Sequence, residues 1–520
     1  MKQPPIGIQT FEKIIKDDYL YVDKTKQIYD IITTGTTYFI SRPRRFGKSL
    51  LCSTLEQIFK GNKELFKNLW IYDSDYQWES HPVIRIDMSK IRLNNTEDFE
   101  KKLFNQMREI AKDNNIDYTD YNSPEELLSA IIKNMSKKNK VVIIVDEYDK
   151  PILDHITNTQ IAEKVRNILK SFYGQFKTLD EYLKFIFLTG VTRFSKMSVF
   201  SGLNNLRDLT FNEKAATLFG YTQKELEFYF EERIKICVTK QKTSKKQILL
   251  QLKDWYNGYS FVDGKQKVYN PFSILLSLDD YKFKNYWFET GTPTFLVNMI
   301  REKNFDYTDP KSFEATELQL GNFDINNINL KTLLFQTGYL TIDSYDQSLR
   351  KYHLKYPNNE VEESLLEVLL ESFSGIDAVI SDDTIIEITN ALMKNDLNQF
   401  REIIYNFFAS MPYTIQINHE KYYQSIFYTL LRLLNIRIKV EVATNTGRID
   451  SVVQIKDFIY IFEFKIDKSS TEALQQIEDK KYYQKFMSSK YKDKKIIIVG
   501  VNFDTKQKNI SDFSFKTIKK

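Results

Sequence analysis

One stretch decides the fold of this chain, Ser41-Arg42-Pro43-Arg44-Arg45-Phe46-Gly47-Lys48-Ser49, which follows the apolar run Tyr38-Phe39-Ile40. It ends in Gly-Lys-Ser, and a helix-like pattern begins directly after it. In a loop of this kind, backbone N–H groups and the helix N-terminus hold phosphate oxygens. Lys48 would then reach the β- and γ-phosphates of a nucleotide, and the Ser49 hydroxyl would bind Mg²⁺. Because Arg42 occupies the first glycine position of the G-x-x-x-x-G-K-[ST] pattern, the motif alone also allows a turn without a ligand.

An acidic strand is predicted further along the chain, where the apolar run 141–145 leads into Asp146 and Glu147. A continuous β-branched run indicates a strand buried on both faces of a parallel sheet. Ligands bind such sheets at the carboxyl ends of their strands. We expect Asp146 to hold Mg²⁺ through water, and Glu147 to orient or deprotonate the attacking water. The alternative is a capped core strand whose carboxylates are only solvated.

Two further apolar runs, 82–87 and 185–188, predict buried strands. Helical patterns lie between the runs, and this alternation favours a parallel, doubly wound sheet. The second run ends in Thr189, Thr192 and Arg193, where a sensor of the γ-phosphate belongs. Arg193 would neutralise charge that develops there during hydrolysis. A salt bridge from Arg193 to a neighbouring element is the alternative.

The composition is that of an ordinary soluble globular protein with two or three domains. The 520 residues are 42% hydrophobic and 28% charged. Two cysteines and four histidines exclude a disulfide scaffold and Cys/His zinc sites, and they suit a reducing, cytoplasmic compartment. The sequence shows no signal peptide and no apolar run long enough to span a membrane, so no membrane partner is expected.

The basic excess of the chain lies at its C-terminal end. The whole chain carries a net charge of +5, and residues 450–520 contain 15 Lys, no Arg and 10 Asp or Glu, which again gives +5. A local basic excess favours a polyanionic partner such as nucleic acid, with DNA expected before RNA. A lysine-rich solvated surface is the alternative.

Two predicted strands in this region carry a second acidic group. Asp450 is followed by twelve residues and then by Glu463-Phe464-Lys465. If the strands form a hairpin centred on residues 456–457, Ile455 lies opposite Phe458, and Asp450 lies opposite Glu463. Side chains alternate along a strand, so Lys465 falls on the face of Glu463. Directly opposed carboxylates have Cβ atoms roughly 4.5–5.5 Å apart, close enough to share one Mg²⁺.

This face has the groups that phosphodiester hydrolysis requires. Mg²⁺ on Asp450 and Glu463 would generate hydroxide and stabilise the developing charge. Lys465 would position the water or contact the scissile phosphate. A cross-strand ladder of salt bridges is the alternative.

Several stretches together resemble the AAA-ATPase-like family, whose bacterial members often carry a C-terminal PD-(D/E)XK nuclease-like domain. They include Tyr21-Val22-Asp23-Lys24-Thr25, the loop 41–50 and Leu188-Thr189-Gly190-Val191-Thr192-Arg193-Phe194. The resemblance covers most of the chain, and the Arg-Pro-Arg-Arg-Phe-Gly-Lys-Ser form of the loop is a trait of the family. In the nuclease-like part, Asp450, Glu463 and Lys465 match the three signature positions. Weaker candidates for this site are Glu441, Gln476, Tyr482 and Glu420.

The element order and the resemblance predict an α/β fold in two parts. The first is a P-loop NTPase (AAA-like) parallel sheet with a helical or winged-helix-like lid, where Gly338 stops a helix before a strand. The second is a C-terminal α/β PD-(D/E)XK nuclease-like domain. The predicted boundaries are 1–293 for the ATPase domain, 294–370 for the lid, 371–410 for a helical linker and 411–520 for the nuclease-like domain.

The predicted function is binding and hydrolysis of ATP, coupled to Mg²⁺-dependent cleavage of nucleic acid. The predicted catalytic residues are Glu147, Asp450, Glu463 and Lys465. The predicted ATP-binding residues are Arg42, Arg44, Arg45, Gly47, Lys48, Ser49, Asp146, Thr189 and Arg193. The predicted metal ligands are Ser49, Asp146, Asp450 and Glu463. A nucleotide-switched scaffold, or a DNA-binding regulator with a non-catalytic nuclease-like fold, is the alternative, and oligomerisation is left open.

Overall fold

The chain forms two compact units in this computed structural model. The structure describes residues 1–91, 97–194, 199–200, 203, 205–287, 294–303, 305, 307, 313–321, 323–412, 420–438, 441–442, 451–455 and 457–518. Unit 1 comprises Met1–Gly291 and Phe313–Val361, and unit 2 comprises Thr292–Ser312 and Glu362–Lys520. The four-part division expected from the sequence stays a prediction.

A parallel sheet forms the centre of unit 1. Its described strands are β1 (Thr37–Ser41), β2 (Val83–Asp87), β3 (Val141–Asp146), β4 (Leu183–Gly190) and β5 (Arg207–Asp208), in the order β2-β3-β4-β1-β5. Every residue of β1 and β3 is buried, as their apolar runs predict. Because the strands are parallel, Ser41, Asp87, Asp146 and Gly190 end them at one edge of the sheet.

Helices precede, connect and follow these strands. Those described in the first segment of unit 1 are α1 (Phe11–Lys16), α2 (Thr25–Thr34), α3 (Lys48–Phe59), α4 (Glu97–Asp113), α5 (Pro124–Met135), α6 (Lys150–Leu153), α7 (Thr159–Thr178), α8 (Gln223–Tyr229), α9 (Glu231–Gln241), α10 (Lys245–Tyr256) and α11 (Pro271–Asp280). Ser123 caps α5 by accepting a hydrogen bond from Glu126 N, with proline at the first helical position. α3 matters most for the site, because it begins inside the Gly-Lys-Ser motif.

The chain contributes α12 (Thr294–Glu302) to unit 2 and then returns to unit 1. The returning segment holds β6 (Glu314–Thr316), α13 (Glu317–Leu320), α14 (Leu330–Thr337), β7 (Thr341–Asp346) and β8 (Lys351–Lys355), with an antiparallel sheet in the order β6-β8-β7. Gly338 ends α14 in the left-handed conformation, with φ +94°, which confirms the expected helix stop. A Cβ atom on Gly338 would lie only 2.7 Å from Pro43 Cβ, so α14 packs directly on the Gly-Lys-Ser loop.

Unit 2 is built on a mixed sheet with helices on both faces. Its remaining described elements are α15 (Asn359–Ser374), which begins in unit 1, α16 (Ala378–Lys394), α17 (Leu397–Ala409), α18 (Glu420–Ile438), β9 (Glu441–Val442), β10 (Ser451–Ile455), β11 (Phe458–Ile466), α19 (Ser470–Asp479), β12 (Lys495–Asp504) and β13 (Asn509–Ile518). The described strands have the order β13-β12-β11-β10-β9, and the β11–β12 pair is parallel. One face packs against Ile477 of α19. The other packs against α17 and α18, with Phe427 and Phe464 ring centroids 4.5 Å apart.

The predicted hairpin register is confirmed over the described residues. Ile455 pairs with Phe458, and the ladder continues to Ser451 opposite Phe462. The next position is Asp450, which lies outside the described residues. The predicted site residues Glu463 and Lys465 lie on one face of β11. On the same face, the earlier residues Ile459 and Ile461 are apolar and pack in the core beneath α19. Glu463 and Lys465 are therefore the polar end of an otherwise apolar strand face.

Candidate functional site

The first candidate site lies where β1 leads through the loop into α3. Gly47 precedes the helix with φ +84°, a left-handed conformation that glycine adopts at little cost. The first backbone N–H groups of a helix have no intrahelical acceptor, which is why phosphates bind at such ends. This loop and helix start therefore have the local geometry that a phosphate-binding loop requires.

Lys48 is buried inside this loop. Its Nζ donates hydrogen bonds to the carbonyl oxygens of Arg42 and Pro43, both at 2.9 Å. Burial lowers the pKa of the Lys48 ammonium, and the carboxylates of Asp146 and Glu147 partly offset this effect. The ammonium group thus lies close to the acidic end of β3, as the sequence predicted for a nucleotide site.

Asp146 ends β3 with 2% of its surface exposed. Burial raises the pKa of its carboxyl group, and the nearby Ser49 hydroxyl and Lys48 ammonium partly offset this. One carboxylate oxygen, Oδ2, is 4.0 Å from Arg85 Nη2. The other, Oδ1, is buried and has no hydrogen-bond partner among the described residues. A buried carboxylate oxygen without a partner is costly unless a cation or donor reaches it.

These groups fit Mg²⁺. A hydroxyl from Ser49 and a carboxylate from Asp146 are hard oxygen ligands, and Mg²⁺ commonly takes one or two protein carboxylates together with water and nucleotide phosphates. Among the described residues, no cluster of three or more His, Cys, Asp or Glu side chains could hold a metal by itself. A magnesium ion at this position would accordingly depend on the nucleotide for the rest of its ligands.

Glu147 and Asp149 follow Asp146 at the same edge of the sheet. Glu147 is half-buried with φ +51°, an uncommon conformation for a residue with a side chain, and burial raises the pKa of its carboxyl group. Asp149 is buried and accepts hydrogen bonds from Val191 N at 3.0 Å and from Thr192 N and Oγ1 at 2.5 and 2.6 Å. It therefore ties the end of β3 to the end of β4.

Sequence reasoning missed Asp149, although its place three residues after Asp146 was a usable signal. Gly190 explains how the Asp149 carboxylate can come so close to the end of β4. A Cβ atom at position 190 would lie 2.3 Å from Asp149 Oδ1. The hydrogen bonds between Asp149 and Thr192 thus require glycine at the end of β4.

Three other predicted nucleotide-binding residues make structural contacts. Thr189 Oγ1 donates to Ile40 O at 3.0 Å and so joins β4 to β1. Arg193 forms an ion pair with Asp208 and donates to Gly321 O at 3.1 Å. This is the salt-bridged arrangement that stood as the alternative for Arg193.

Arg42 is the third predicted nucleotide-binding residue that makes structural contacts. It is 1% exposed and donates hydrogen bonds to the carbonyl oxygens of Ser41, Thr210 and Ala215. Burial lowers its pKa to about 9. Its guanidinium group is enclosed by backbone oxygens and the Phe261 ring, 4.2 Å away, and it braces the loop instead of facing outward.

Arg44 and Arg45 remain on the surface of the loop. The Arg45 guanidinium lies 4.0 Å from the centre of the Phe272 ring, and the backbone oxygen of Arg44 accepts from Trp287 Nε1 at 3.4 Å. Their side chains are the loop cations that solvent and ligands can reach.

The second candidate site lies on β11 in unit 2. Glu463 is 3% exposed, and its Oε1 accepts a hydrogen bond from the Gln476 side-chain amide of α19. Lys465 Nζ donates to Gln476 Oε1 at 2.6 Å and lies 3.5 Å from Glu463 Oε1. The structure thus joins Glu463, Lys465 and Gln476 into one polar cluster, in which Glu463 is buried and the other two are partly buried. Gln476, a weaker candidate in the sequence, contacts both of the others.

Gly500 on β12 allows α19 to approach this cluster. It pairs with Glu463, and a Cβ atom there would lie 2.2 Å from Ser470 O at the start of α19. Of the weaker candidates, Glu441 lies on β9. Glu441 pairs through its backbone with Gln454, which pairs with Ile459, four positions from Glu463 along β11. Glu420 is the first residue of α18.

The two units define an AAA-like P-loop NTPase fold joined to a PD-(D/E)XK nuclease-like fold. The family described as Predicted AAA-ATPase matches residues 5–200, and the PD-(D/E)XK nuclease superfamily matches residues 418–513. The chain is 36% identical over 529 aligned positions to a protein of Azotobacter chroococcum mcd 1, described as "Uncharacterized protein in vnfD 5'region", and 99% of each chain is covered. The chain belongs to the AAA-ATPase-like family with a C-terminal PD-(D/E)XK nuclease superfamily domain.

One solved structure is similar over a large part of the chain. It is the ORC1 protein of Aeropyrum pernix in complex with DNA, at 8% sequence identity, covering 68% of this chain and 96% of that chain, with a TM-score of 0.25. A similarity of this size is too weak to compare the two folds in detail. None of the described helices is long and apolar enough to cross a membrane.

Proposed function

We propose that this protein binds and hydrolyses ATP in unit 1 and cleaves nucleic acid in unit 2, with the nucleotide state governing cleavage. The observation that carries the proposal is the hydrogen-bonded cluster of Glu463, Lys465 and Gln476. The hairpin register, continued by one position beyond Ser451 and Phe462, would place Asp450 opposite Glu463. Burying a carboxylate beside a partly buried ammonium group is costly, so such clusters are often functional.

In unit 1, ATP would lie against the loop and the start of α3. Lys48 would leave the carbonyl oxygens of Arg42 and Pro43 and donate to the β- and γ-phosphates. Glu147, with its raised pKa, would accept the proton of the attacking water. Mg²⁺ held by Ser49 and Asp146 would neutralise phosphate charge. Asp149 would keep Thr192 in place beside the site.

In unit 2, the residues of β11 would act on a phosphodiester. Glu463, together with Asp450, would hold Mg²⁺, which lowers the pKa of bound water and stabilises developing charge. Lys465 would donate to a non-bridging phosphate oxygen, where negative charge increases during attack. Gln476 would orient Lys465 and Glu463 through the hydrogen bonds that it makes to both. DNA is the first substrate to test.

A cleavage assay tests this proposal directly. Purified protein is incubated with linear and circular double-stranded DNA, single-stranded DNA and RNA, with and without ATP and with and without Mg²⁺. We expect Mg²⁺-dependent products whose rate changes with ATP. Lys48→Ala should remove the response to ATP, and Glu463→Gln should remove cleavage.

Binding of ATP without cleavage of any of these substrates would contradict the nuclease assignment. That outcome would favour a nucleotide-switched scaffold or a DNA-binding regulator with a non-catalytic nuclease-like fold. Cleavage that persists at the unmodified rate in Glu463→Gln would contradict the assignment of the nuclease site to Glu463.

A further inference from the structure

The segment from the end of α19 to the start of β12, residues 480–495, is strongly basic. We refer to it as the lysine segment. It contains seven lysines and one acidic residue, Asp493, which gives it a net charge of +6 over 16 residues. The whole chain carries only +5, so the rest of the molecule has a net charge of −1.

The lysine segment is a structured part of unit 2. Phe486 is buried against Ile477 and Ile496, and its ring centroid lies 5.4 Å from that of Tyr491. Short-range backbone hydrogen bonds close successive turns, from Phe486 N to Tyr483 O at 2.9 Å and onward through the segment. The aromatic side chains hold the backbone on the domain, while five lysine side chains are exposed to solvent: Lys480, Lys481, Lys485, Lys492 and Lys495.

The acidic residues beside the segment do not neutralise it. Glu478 pairs with Lys516 at 2.5 Å, and Asp479 accepts a hydrogen bond from Gln475 at 2.7 Å. Within the described part of unit 2, no ion pair joins any of the five exposed lysines to a carboxylate. Lys485 lies 4.9 Å from the centre of the Phe486 ring instead. Unneutralised cations at this density attract a polyanion.

One lysine of the segment, Lys495, lies at a defined distance from the candidate nuclease cluster along the sheet. Lys495 begins β12 and pairs with Phe458, five residues before Glu463 on β11. At about 3.3 Å per residue, five positions of strand correspond to about 17 Å. Successive phosphates of one strand of duplex DNA advance by about 3.4 Å along the axis, so this separation matches about five nucleotides.

We propose that the lysine segment is the surface on which unit 2 docks the phosphate backbone of its nucleic acid, about five nucleotides from the bond at Glu463. The inference deepens the proposed function and rests on it. Lysine acts on phosphates as a point charge and suits binding without base readout. The cores of protein interfaces are depleted in lysine, so an acidic protein partner fits this surface less well.

Charge removal on the full-length protein tests the proposal. The triple variant Lys480→Gln/Lys485→Gln/Lys492→Gln is compared with a control that loses the same charge from exposed lysines elsewhere, Lys177→Gln/Lys394→Gln/Lys506→Gln. Binding of a fluorescent 20-base-pair duplex is measured without Mg²⁺ at several salt concentrations. We expect the first variant to bind at least tenfold more weakly and its log–log salt slope to fall by about 0.9 for each phosphate that it no longer neutralises. The control should stay within twofold of the unmodified protein.

The outcomes separate this inference from the proposed nuclease activity. Equal binding by the two triple variants, or no binding of duplex by the unmodified protein, would overturn the docking surface. Competition by poly-glutamate as effective as that by DNA of equal charge would also overturn it, in favour of an acidic protein partner. Impaired binding in the first variant, without cleavage by the unmodified protein, would support the surface and contradict the nuclease. Circular dichroism of both variants confirms that they fold.

Discussion

At the scale of single residues, Lys48 is the side chain on which nucleotide binding depends. Its ammonium group is already buried among loop carbonyl oxygens and close to Asp146 and Glu147. Hydrogen bonds to charged partners contribute roughly 1.5–3 kcal/mol each, and Lys48 would make more than one to ATP. We expect Lys48→Ala to abolish measurable ATP binding in calorimetry, and Glu147→Gln to retain binding while losing turnover.

Lys60→Ala is the matched control for this prediction. Lys60 directly follows α3 and pairs on the surface with Glu56 at 2.7 Å. Exposed pairs of this kind contribute little, so ATP affinity should not change. Unchanged affinity in Lys48→Ala, or normal turnover in Glu147→Gln, would contradict the assigned roles.

The nuclease cluster supplies a second prediction at this scale. Glu463→Ala and Asp450→Ala should each eliminate cleavage, and the double variant should be no worse, because residues that act as a unit are non-additive. Lys465→Ala should keep metal binding and slow cleavage by roughly 10²-fold, as expected for loss of one group that stabilises transition-state charge. Single-turnover cleavage rates and Mg²⁺ titrations measure both effects.

Ser451→Ala is the control in the same hairpin. Ser451 pairs with Phe462, and its hydroxyl is buried without a hydrogen-bond partner among the described residues. Removing that hydroxyl should leave cleavage unchanged and should not lower stability. Loss of cleavage in Ser451→Ala would show that the hairpin responds to any substitution.

At the scale of elements, the packing of α19 on β12 controls the nuclease cluster. Gly500→Ala would place a Cβ atom 2.2 Å from the backbone oxygen of Ser470, so the helix must move away from the sheet. We expect a loss of about 1–3 kcal/mol in the free energy of unfolding, as for other overpacked sites. Cleavage should fall as well, because Gln476 moves with α19. Denaturant unfolding followed by circular dichroism measures the first effect.

Gly174→Ala in α7 separates this clash from a general effect of alanine. Gly174 lies inside a helix, and a Cβ atom there meets nothing within 4 Å. Replacing a helical glycine should stabilise the protein by about 0.5–1 kcal/mol. Stability equal to that of the unmodified protein in Gly500→Ala would refute the close approach of α19.

At the scale of the whole molecule, Glu360 lies near the two points where the chain leaves unit 1. Its carboxylate accepts hydrogen bonds from Tyr286 N at 2.8 Å, Trp287 N at 2.9 Å and Ser273 Oγ at 2.7 Å. Burial raises the pKa of this carboxyl group to about 7. Burial also raises the pKa of Tyr256 and Tyr259, and the Glu360 carboxylate adds to that effect. Folding of unit 1 therefore favours the protonated form of Glu360, compared with the unfolded chain.

This pKa predicts a pH-dependent stability for unit 1. The folded pKa of about 7 lies above the ordinary value of 4.5, so the folded state binds the proton more tightly. The resulting stabilisation is fully present below pH 4.5 and is lost as the pH rises through about 7. Relative to Glu360→Gln, the unmodified protein should lose about 2–3 kcal/mol between about pH 5 and pH 8, at about 1.36 kcal/mol per pKa unit.

Tryptophan fluorescence can follow this prediction in unit 1 alone, because all four tryptophans of the chain lie there, at positions 70, 78, 255 and 287. Glutamine keeps the shape of the side chain, and its amide can donate to Ser273 Oγ while its oxygen accepts from the two backbone groups. Parallel pH profiles for the two proteins would disprove the raised pKa.

Much of the fold and part of the site could be predicted from the sequence. The run 141–145 indicated a buried strand, and alternation along β10 and β11 indicated the hairpin register that the structure has. Lys48, Asp146 and Glu147 lie close enough for the two carboxylates to affect the pKa of Lys48, and their roles with a nucleotide stay a prediction. The side-chain partners of Arg42 and Arg193 could not be predicted, because a guanidinium group binds carbonyl oxygens and carboxylates as readily as phosphates.

The sequence by itself determined what depends on neighbouring residues: the period of each strand, the helix stop at Gly338, the basic excess near the C-terminus and the family. Only the tertiary structure decided which distant groups satisfy each buried polar atom. Arg42 reaches Thr210, 168 positions away, and Arg193 reaches Gly321, 128 positions away. Asp149 meets Thr192, 43 positions away, only because Gly190 leaves room for its carboxylate. Such partners are set by the packing of whole elements, which local patterns of hydrophobicity and charge do not specify.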